Sequence, residues 1–346
     1  MKIGLILSHG GLAGIWTLGC QGAALLAAAE LNAAGGVLGQ EIEIIPVDSG
    51  ATQASAFRAA QGLVLTENVD AVIGLQSSDL RPAVRRGIGG LAPYIYTPHY
   101  EGGFCGPGTA QLGITDGEVL NPSLEWMSTH RRARRFFFVG NDYIWPRIAH
   151  GTTEEAVQRA GGRLVGDGLL PFGHRDYAEV LDRIRKARPD VVVIAMLGED
   201  SVCFNRAFAE EGFSGRMTRL NLAFDEMQLL ALADGGAENL FAAQSYFDSS
   251  RGYGREALAE NYDACFSGQR PTMTANSVHF YDAIYLVAAL ARQVGRVDGC
   301  RMAHFLRPRL QRDHAYRLIG RSDADASVRL AEADGVDFVV RKAFAT

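Results

Sequence analysis

The sequence lacks several features that would point directly to a membrane or a nucleic acid. No stretch approaches the roughly 18 to 20 apolar residues that a membrane-spanning helix requires. Lysine is nearly absent, since Lys2, Lys186 and Lys342 are the only lysines among 34 basic residues, and the formal net charge is −5. A membrane-spanning protein and a nucleic-acid-binding surface are therefore not expected, and we predict no direct nucleic-acid partner.

Export signals and paired cysteines are also missing. Met1 leads directly into KIGLIL, without the basic segment, apolar segment and small-residue cleavage site of a signal peptide. The five cysteines are an odd number, widely spaced, and form no CxxC pair. Both observations favour a reducing compartment and predict a cytoplasmic protein. A periplasmic location is the alternative if an export signal has been removed.

Motifs for catalysis and for metal binding are absent as well. The chain contains no GxxxxGK[ST] phosphate loop, no GxSxG nucleophile elbow and no HExxH zinc motif. Its eight histidines never occur as two at i, i+4 or HxH spacing. We therefore expect no cofactor, no metal and no catalytic residue, and an enzyme is the least favoured class.

What is present is a repeated alternation of short apolar runs with stretches of helical composition. The first series of runs is KIGLIL, EIEIIPV, DAVIGL and APYIY. The second series is RRFFFVG, GRLVGDGLL, DVVVIAML, MTRLNLA and NLFAAQS. The passage GGFCGPGTAQLGITDGE between them is rich in glycine, as connections between domains often are. The 346 residues are therefore predicted to form an α/β protein of two doubly wound units with parallel sheets.

The order of elements changes after residue 247. Three helices are expected near 255–267, 275–296 and 300–311, followed by the strand-like runs AYRLIG, ASVRLAEA and VDFVVRKA. These late helices fit neither series, so we expect the chain to cross back to the first domain and then to return. The predicted domains are 1–116 with 247–313 as the first ligand-binding lobe, and 117–246 with 314–346 as the second. Several crossovers make a hinge, and a hinge makes a cleft.

Aromatic and polar side chains follow several strands, where open α/β sheets bind their ligands. After DAVIGL, Ser77 or Ser78 is expected to start a helix, and its hydroxyl could receive a carboxylate or carbonyl oxygen. The other loops are TPHYEGG, NDYIWP, GEDS with Glu199 and Asp200, and FDE with residues 224 to 226. Aromatic walls with a few hydrogen-bonding groups favour a small-molecule site. Core packing is the alternative for each of the rings.

Two longer stretches resemble a known family. AAELNAAGGVLGQEIEIIPVDSG and SVHFYDAIYLVAALA are similar to segments of type I periplasmic binding proteins, the branched-chain amino-acid-binding family. Tyr-Glu-Gly at 100–102 and NDYIWP at 141–146 most resemble its amide- and urea-binding branch, which includes the amide sensor that regulates aliphatic amidase expression. The resemblance implies two Rossmann-like lobes, joined by three hinge crossovers, that close on a ligand in the cleft between them.

The resemblance also implies a set of ligand-binding residues. Ser78 falls on the serine that binds the ligand's oxygen, and Gln76 stands where amide sensors tend to have an aromatic residue. Tyr143 and Trp145 fall on paired aromatic residues of the second lobe. The complete predicted set is Ser78, Gln76, Tyr96, Pro98, Tyr143, Trp145, Phe224 and Asp225.

The ligand class decides which charges are needed. An amino acid needs a carboxylate beside its ammonium group, which Asp200, Asp225 or Glu226 could supply, whereas a neutral amide needs only matched hydrogen bonds. We expect non-catalytic binding of a small amide, urea-like compound or amino acid by a sensor, with a cytoplasmic regulator protein as partner. The alternative is the solute-binding component of an ABC transporter, with a permease as partner. A homodimer stays open.

Overall fold

The computed structural model describes residues 1–11, 13–232, 236–250, 255–266, 270–306, 310, 312–321 and 327–344. The chain forms two compact α/β units. Unit 1 contains Met1–Pro98, Gly103–Gly113 and Arg251–Ala326, and unit 2 contains His99–Gly102, Ile114–Ser250 and Ser327–Thr346. The chain therefore passes between the units in three places, around 98–114, at 250–251 and at 326–327.

The strands and helices of the described residues alternate along most of the chain. The strands are β1 Lys2–Leu7, β2 Glu43–Asp48, β3 Ala71–Gly74, β4 Tyr94–Tyr96, β5 Thr109–Gln111, β6 Arg135–Asn141, β7 Arg163–Leu170, β8 Val191–Ala195, β9 Thr218–Asn221, β10 Leu240–Gln244, β11 Val328–Asp334 and β12 Asp337–Phe344. The helices are α1 Thr17–Ala33, α2 Gln53–Leu65, α3 Arg81–Ile88, α4 Asp116–His130, α5 Ile144–Arg159, α6 Ala178–Ala187, α7 Gly198–Glu210, α8 Glu226–Leu232, α9 Glu256–Cys265, α10 Ala275–Val294, α11 Gly299–Phe305 and α12 Arg312–Leu318.

Each unit is built on one sheet. In unit 1 the strand order is β2-β1-β3-β4-β5, and every pair is parallel. In unit 2 the order is β12-β11-β10-β9-β8-β6-β7, which is parallel from β10 to β7. The hairpin of β11 and β12 adds two antiparallel strands at one edge. This confirms the predicted α/β class with two doubly wound units and three crossovers.

Local sequence signals explain where several helices begin. Thr52 caps α2 in a reciprocal capping box with Ser55, and Thr115 caps α4 in the same way with Glu118. Small residues let α1 pack closely against α10, because Gly19 leaves no room for a Cβ beside the hydroxyl of Ser277. Among the described helices, none combines the length and the apolar character that crossing a bilayer requires.

Two predicted elements differ in the structure. The Gly-rich passage predicted as a plain connection contains β5, the edge strand of the unit 1 sheet. The run AYRLIG, predicted as a strand, instead lies mostly in α12, where Ala315 and Tyr316 are buried. The second difference arises because a short apolar run fits either a strand or one buried side of a helix, and only packing decides between them.

Candidate functional site

In unit 1, the loop after β3 is fixed by side chains from two neighbouring strands. Gln76 is buried, its Oε1 accepts a hydrogen bond from the hydroxyl of Tyr94 at 2.7 Å, and its Nε2 donates to the carbonyl of Ile6. The hydroxyl of Tyr96 donates to the Gln76 carbonyl at 2.9 Å. A Cβ on Gly74 would lie 2.4 Å from Gln76 Oε1 and 2.8 Å from a ring carbon of Tyr94, so a larger residue there would displace these side chains. The Gln76 amide is therefore engaged by its own unit and holds the loop in place.

Ser78 lies within this loop and is 4% exposed. The backbone N–H groups of Leu80 and Arg81 both donate to the Ser77 carbonyl, at 3.0 and 3.3 Å, which closes a turn ahead of α3. Helix α3 begins at Arg81 with Leu80 as its N-cap, so neither Ser77 nor Ser78 caps it as expected. The structure therefore places Ser78 at the carboxyl end of β3, in the turn rather than at the helix start.

Strand β4 ends at Tyr96, and Pro98 lies in the loop that follows. Tyr96 is 1% exposed, and its ring meets that of Tyr94 edge-on with centroids 6.1 Å apart. Burial raises the pKa of the Tyr94 phenol well above its usual value. The Pro98 carbonyl lies so close to Gly113 that a Cβ there would be 1.7 Å from its oxygen. Residues 97–98 are thus tightly held, with the Pro98 side chain partly exposed.

In unit 2, Trp145 lies in the hydrophobic core. It is 2% exposed and belongs to the cluster that contains Phe136 and Phe138. Its indole N–H donates to Asp116 Oδ1 at 2.9 Å. The resemblance implies that this ring contacts a ligand. In the structure it packs in the core of unit 2 and its indole N–H is engaged there, and the ligand contact stays a prediction.

His99 is a buried polar contact that the sequence reasoning missed. Its Nδ1 lies 3.0 Å from the Leu222 carbonyl, so this nitrogen carries a proton. Its Nε2 lies 2.8 Å from Asp116 Oδ1, without the alignment of a hydrogen bond. The ring also meets Trp145 edge-on at 5.5 Å. His99 and Asp116 therefore fix the indole from two sides, and only the position of TPHYEGG after a strand could have pointed to this histidine.

Asp200 lies at the start of α7 and is completely buried. Its carboxylate accepts hydrogen bonds from Asn141 Nδ2 at 2.9 Å, from the Gly173 N–H at 3.0 Å and from Arg175 Nη1 at 2.6 Å. The hydrogen bond that Arg175 donates to Asp200 raises the pKa of the Arg175 guanidinium above its usual value. Asp200 is one of the three acids that could pair with a ligand's ammonium group, and in the structure its carboxylate is paired with Arg175. A role of Asp200 toward a ligand stays a prediction.

Residues 224 to 226 follow β9, and the structure separates their roles. Phe224 is fully buried against Phe338, with ring centroids 6.5 Å apart, so it belongs to the core of unit 2. Asp225 is 3% exposed, and its Oδ1 accepts from the Met227 N–H at 3.0 Å, which begins α8. These contacts give Phe224 and Asp225 local structural roles.

Glu226, the first residue of α8, is a second buried acid, at 3% exposure. Its Oε1 accepts from the Asp248 N–H at 2.6 Å, whereas its buried Oε2 makes no hydrogen bond within the described part of the chain. Burial first, and then the neighbouring charge of Asp225, raise the pKa of Glu226 well above its usual value. Both effects disfavour the charged carboxylate.

Clusters with the composition of a metal site are missing from the part of the chain that the structure describes, where no three His, Cys, Asp or Glu side chains could hold an ion. All five cysteines lie in that part, and no disulfide joins them.

The order of strands and the three crossovers define the α/β, two-lobe fold of periplasmic binding proteins. The periplasmic binding protein family model matches residues 1–327, and the chain belongs to this family. Similar solved structures show the same fold over nearly all of both chains.

Three of them illustrate the range. The leucine-binding protein LivK of Thermotoga maritima is 18% identical over 99% of this chain and 98% of that one, with a TM-score of 0.81. LivJ of Streptococcus pneumoniae, in complex with isoleucine, is 19% identical over 100% and 99%, at 0.81. An ABC-transporter solute-binding protein of Rhodopseudomonas palustris, in complex with p-hydroxybenzoic acid, is 17% identical over 100% and 97%, at 0.83.

Proposed function

We propose that this chain is a non-catalytic solute-binding protein that delivers a small carboxylic acid to the permease of an ABC transporter. The observation that carries the proposal is the family match over residues 1–327. Proteins of similar fold are described as binding leucine, isoleucine, benzoate and p-hydroxybenzoic acid. All four ligands carry a carboxylate, which sets them apart from neutral amides and urea.

The hydrogen bonds that hold the loop after β3 in unit 1 support this proposal, because they keep its polar groups in fixed positions. Ser78 would donate its hydroxyl to a ligand oxygen, with backbone groups near Tyr96 and Pro98 beside it. Gln76 would act by holding the loop, because both ends of its amide are engaged within the unit. Preorganised polar groups lose little freedom on binding and so favour affinity.

In unit 2 we propose Tyr143 as the ligand-contacting ring, with Trp145 supporting it from the core. Tyr143 is half-buried, and its ring centroid lies 6.2 Å from that of Trp145. Phe224 and Asp225 would shape the ends of β9 and α8 rather than touch the ligand.

Glu226 bears on the choice between amino acids and other acids. An ammonium group next to Glu226 would favour ionisation of its carboxyl and give the buried Oε2 a partner. An acid without an ammonium group requires no such change. Substitution of Glu226 by Gln should therefore weaken amino-acid binding and leave simple acids unaffected.

The sensor of neutral amides, with a cytoplasmic regulator as partner, is the other reading of the resemblance. The similar structures named for transport support the transport reading better. A solute-binding protein that delivers its ligand to an ABC permease acts outside the cytoplasm, so we propose a periplasmic location as well.

A ligand screen by thermal shift tests the proposal. The panel contains leucine, isoleucine, benzoate and 4-hydroxybenzoate, each beside its neutral amide, together with urea and acetamide. A ligand at 100 times its Kd should stabilise the folded protein by roughly 2.7 kcal/mol. Stabilisation by the acids supports the proposal, while stabilisation by amides alone would favour the sensor.

Ser78→Ala provides the residue-level test. Loss of one buried hydrogen-bonding partner should weaken binding by about 1 to 3 kcal/mol. Ser128→Ala is the matched control, since Ser128 is equally buried but lies in α4 of unit 2. Equal affinities for the two variants would remove Ser78 from the site.

A further inference from the structure

An exposed aromatic residue in unit 2 is held in place by buried polar groups. Phe172 is 45% exposed and follows β7, next to the strand that ends in Asn141. Its ring centroid lies 4.9 Å from that of Tyr143, with the planes inclined by 40°. Ile144 and Ile148, four residues apart on α5, are also exposed, at 46% and 41%. Tyr143 and Phe172 thus form a pair of contacting rings that follow β6 and β7.

The loop that carries Phe172 is well ordered by hydrogen bonds. The His174 N–H donates to the Pro171 carbonyl at 3.2 Å, which closes a turn in which Gly173 takes a φ of +73°. The Gly173 N–H donates to Asp200 at 3.0 Å, and Arg175 binds the other oxygen of that carboxylate at 2.6 Å. The buried Asp200 thus fixes both sides of the turn and determines where Phe172 stands.

Tyr143 is fixed from the opposite side. Trp145 lies behind it, with ring centroids 6.2 Å apart, and His99 lies behind Trp145 at 5.5 Å. The series of rings therefore runs from the core of unit 2 to its surface and ends in Phe172. Both aromatic residues at the exposed end are positioned before any ligand arrives.

We infer that Tyr143 and Phe172 form a stacking subsite for the ring of an aromatic carboxylic acid, an inference that rests on the proposed function and names its substrate class. Rings prefer tilted or offset contacts with centroids 4.5 to 7 Å apart, which is the geometry already present between these two. A planar ring gains this interaction in addition to apolar burial. An aliphatic amino acid gains only the burial.

The test measures the Kd of 4-hydroxybenzoate, benzoate and leucine by calorimetry for the wild type and three variants. Phe172→Ala removes the ring, Phe172→Leu keeps apolar area without a ring, and Phe305→Ala is the control. Phe305 is similarly exposed, at 41%, but lies on α11 of unit 1. Thermal unfolding of each variant shows that it is folded.

We expect Phe172→Ala to weaken both benzoates about tenfold, the effect of one aromatic contact. Phe172→Leu should recover only part of this loss, and Phe305→Ala should match the wild type. Benzoate affinities of Phe172→Ala equal to those of the control would overturn the inference. Full recovery of benzoate affinity in Phe172→Leu would also overturn it. A wild type that binds leucine but neither benzoate would also overturn it while leaving the proposed function intact. Failure of the wild type to bind any small acid would instead count against the proposed function.

Discussion

Asp282 of unit 1 and Glu226 of unit 2 are buried acids in opposite surroundings. In unit 1, the fully buried Asp282 on α10 receives Arg255 through two hydrogen bonds of 2.9 and 2.7 Å, and Arg321 approaches it at 3.3 Å. In unit 2, the buried Glu226 has Asp225 and Asp248 as its charged neighbours. Unit 1 thus buries one carboxylate among cations, and unit 2 buries a carboxyl group among other carboxylates.

The two surroundings imply different roles: Asp282 is a structural charge, and Glu226 is a group whose ionisation can change. A buried ion pair with its hydrogen bonds made contributes to a specific arrangement, and breaking it is costly. A buried acid with an unused oxygen responds to pH or to a cation that reaches it. We therefore expect the Asp282 network to govern stability, and Glu226 to govern which ligands are accepted.

Asp282→Asn should have the largest effect on stability. The variant leaves Arg255 buried without a full counter-charge, which typically costs about 3 to 5 kcal/mol. The free energy of unfolding in urea measures it. Asp182→Asn, at an exposed position beside Lys186, is the control and should change little. A stable Asp282→Asn protein would mean that the network is not what holds this region together.

The next effect is the acid response of His279, one turn before Asp282 on α10. Its Nδ1 bonds the Thr97 carbonyl at 2.9 Å, and burial lowers its pKa from 6.5 to about 4. Between pH 6.5 and 4, His279 therefore binds a proton in the unfolded chain but not in the folded chain. The free energy of unfolding falls as the pH drops from 6.5 towards 4. The loss should approach on the order of 3 kcal/mol.

Urea unfolding at several pH values, with His279→Asn beside the wild type, checks this response. The variant should show a shallower decline over the same pH range, because its side chain takes up no proton in either state. Parallel curves for the two proteins would assign the acid sensitivity to other groups.

Trp145→Phe should have a smaller effect. The variant removes the N–H that Asp116 accepts while keeping most of the apolar volume, so we expect a loss of about 1 to 3 kcal/mol in unfolding free energy. Trp126→Phe, in the neighbouring helix α4, serves as the control. Loss of ligand affinity without loss of stability would show that Trp145 touches the ligand after all.

Glu226→Gln should have the smallest effect on stability, and its sign is opposite to that of His279. The raised pKa of Glu226 gives stability that is present below the unfolded value of 4.5 and is lost as the pH rises through the folded value. Glutamine cannot ionise, so the variant should gain on the wild type as the solution becomes alkaline. A pH series of melting temperatures shows this, and a constant difference would argue against a titrating Glu226.

The α/β alternation could be predicted from the sequence because apolar runs such as DVVVIAML are buried on both faces of a sheet. The three-residue β5 could not, since Thr109–Gln111 has no period long enough to recognise. The loops that end the strands of both sheets were also predictable in position. The predicted domain boundaries stay a prediction, and so does the predicted set of ligand-binding residues.

Which individual side chains point into the core could not be predicted from the sequence. Trp145 and Tyr143 are two residues apart, yet one fills the core and the other is half-buried, and this depends on Asp116 and His99 from distant parts of the chain. The sequence does not single out Phe172, because PFGHRD is typical of an ordinary turn. Its significance arises only from Asp200 and Tyr143, which the fold brings to it.

The most direct test of the central claim is calorimetric titration of the wild-type protein with 4-hydroxybenzoate and, under the same conditions, with 4-hydroxybenzamide. The two ligands share the ring and differ in the acid group. We predict saturable binding of the acid at one site per chain and weaker binding of the amide. Preference for the amide, or no binding of any acid in the panel, would contradict a solute-binding protein for small carboxylic acids.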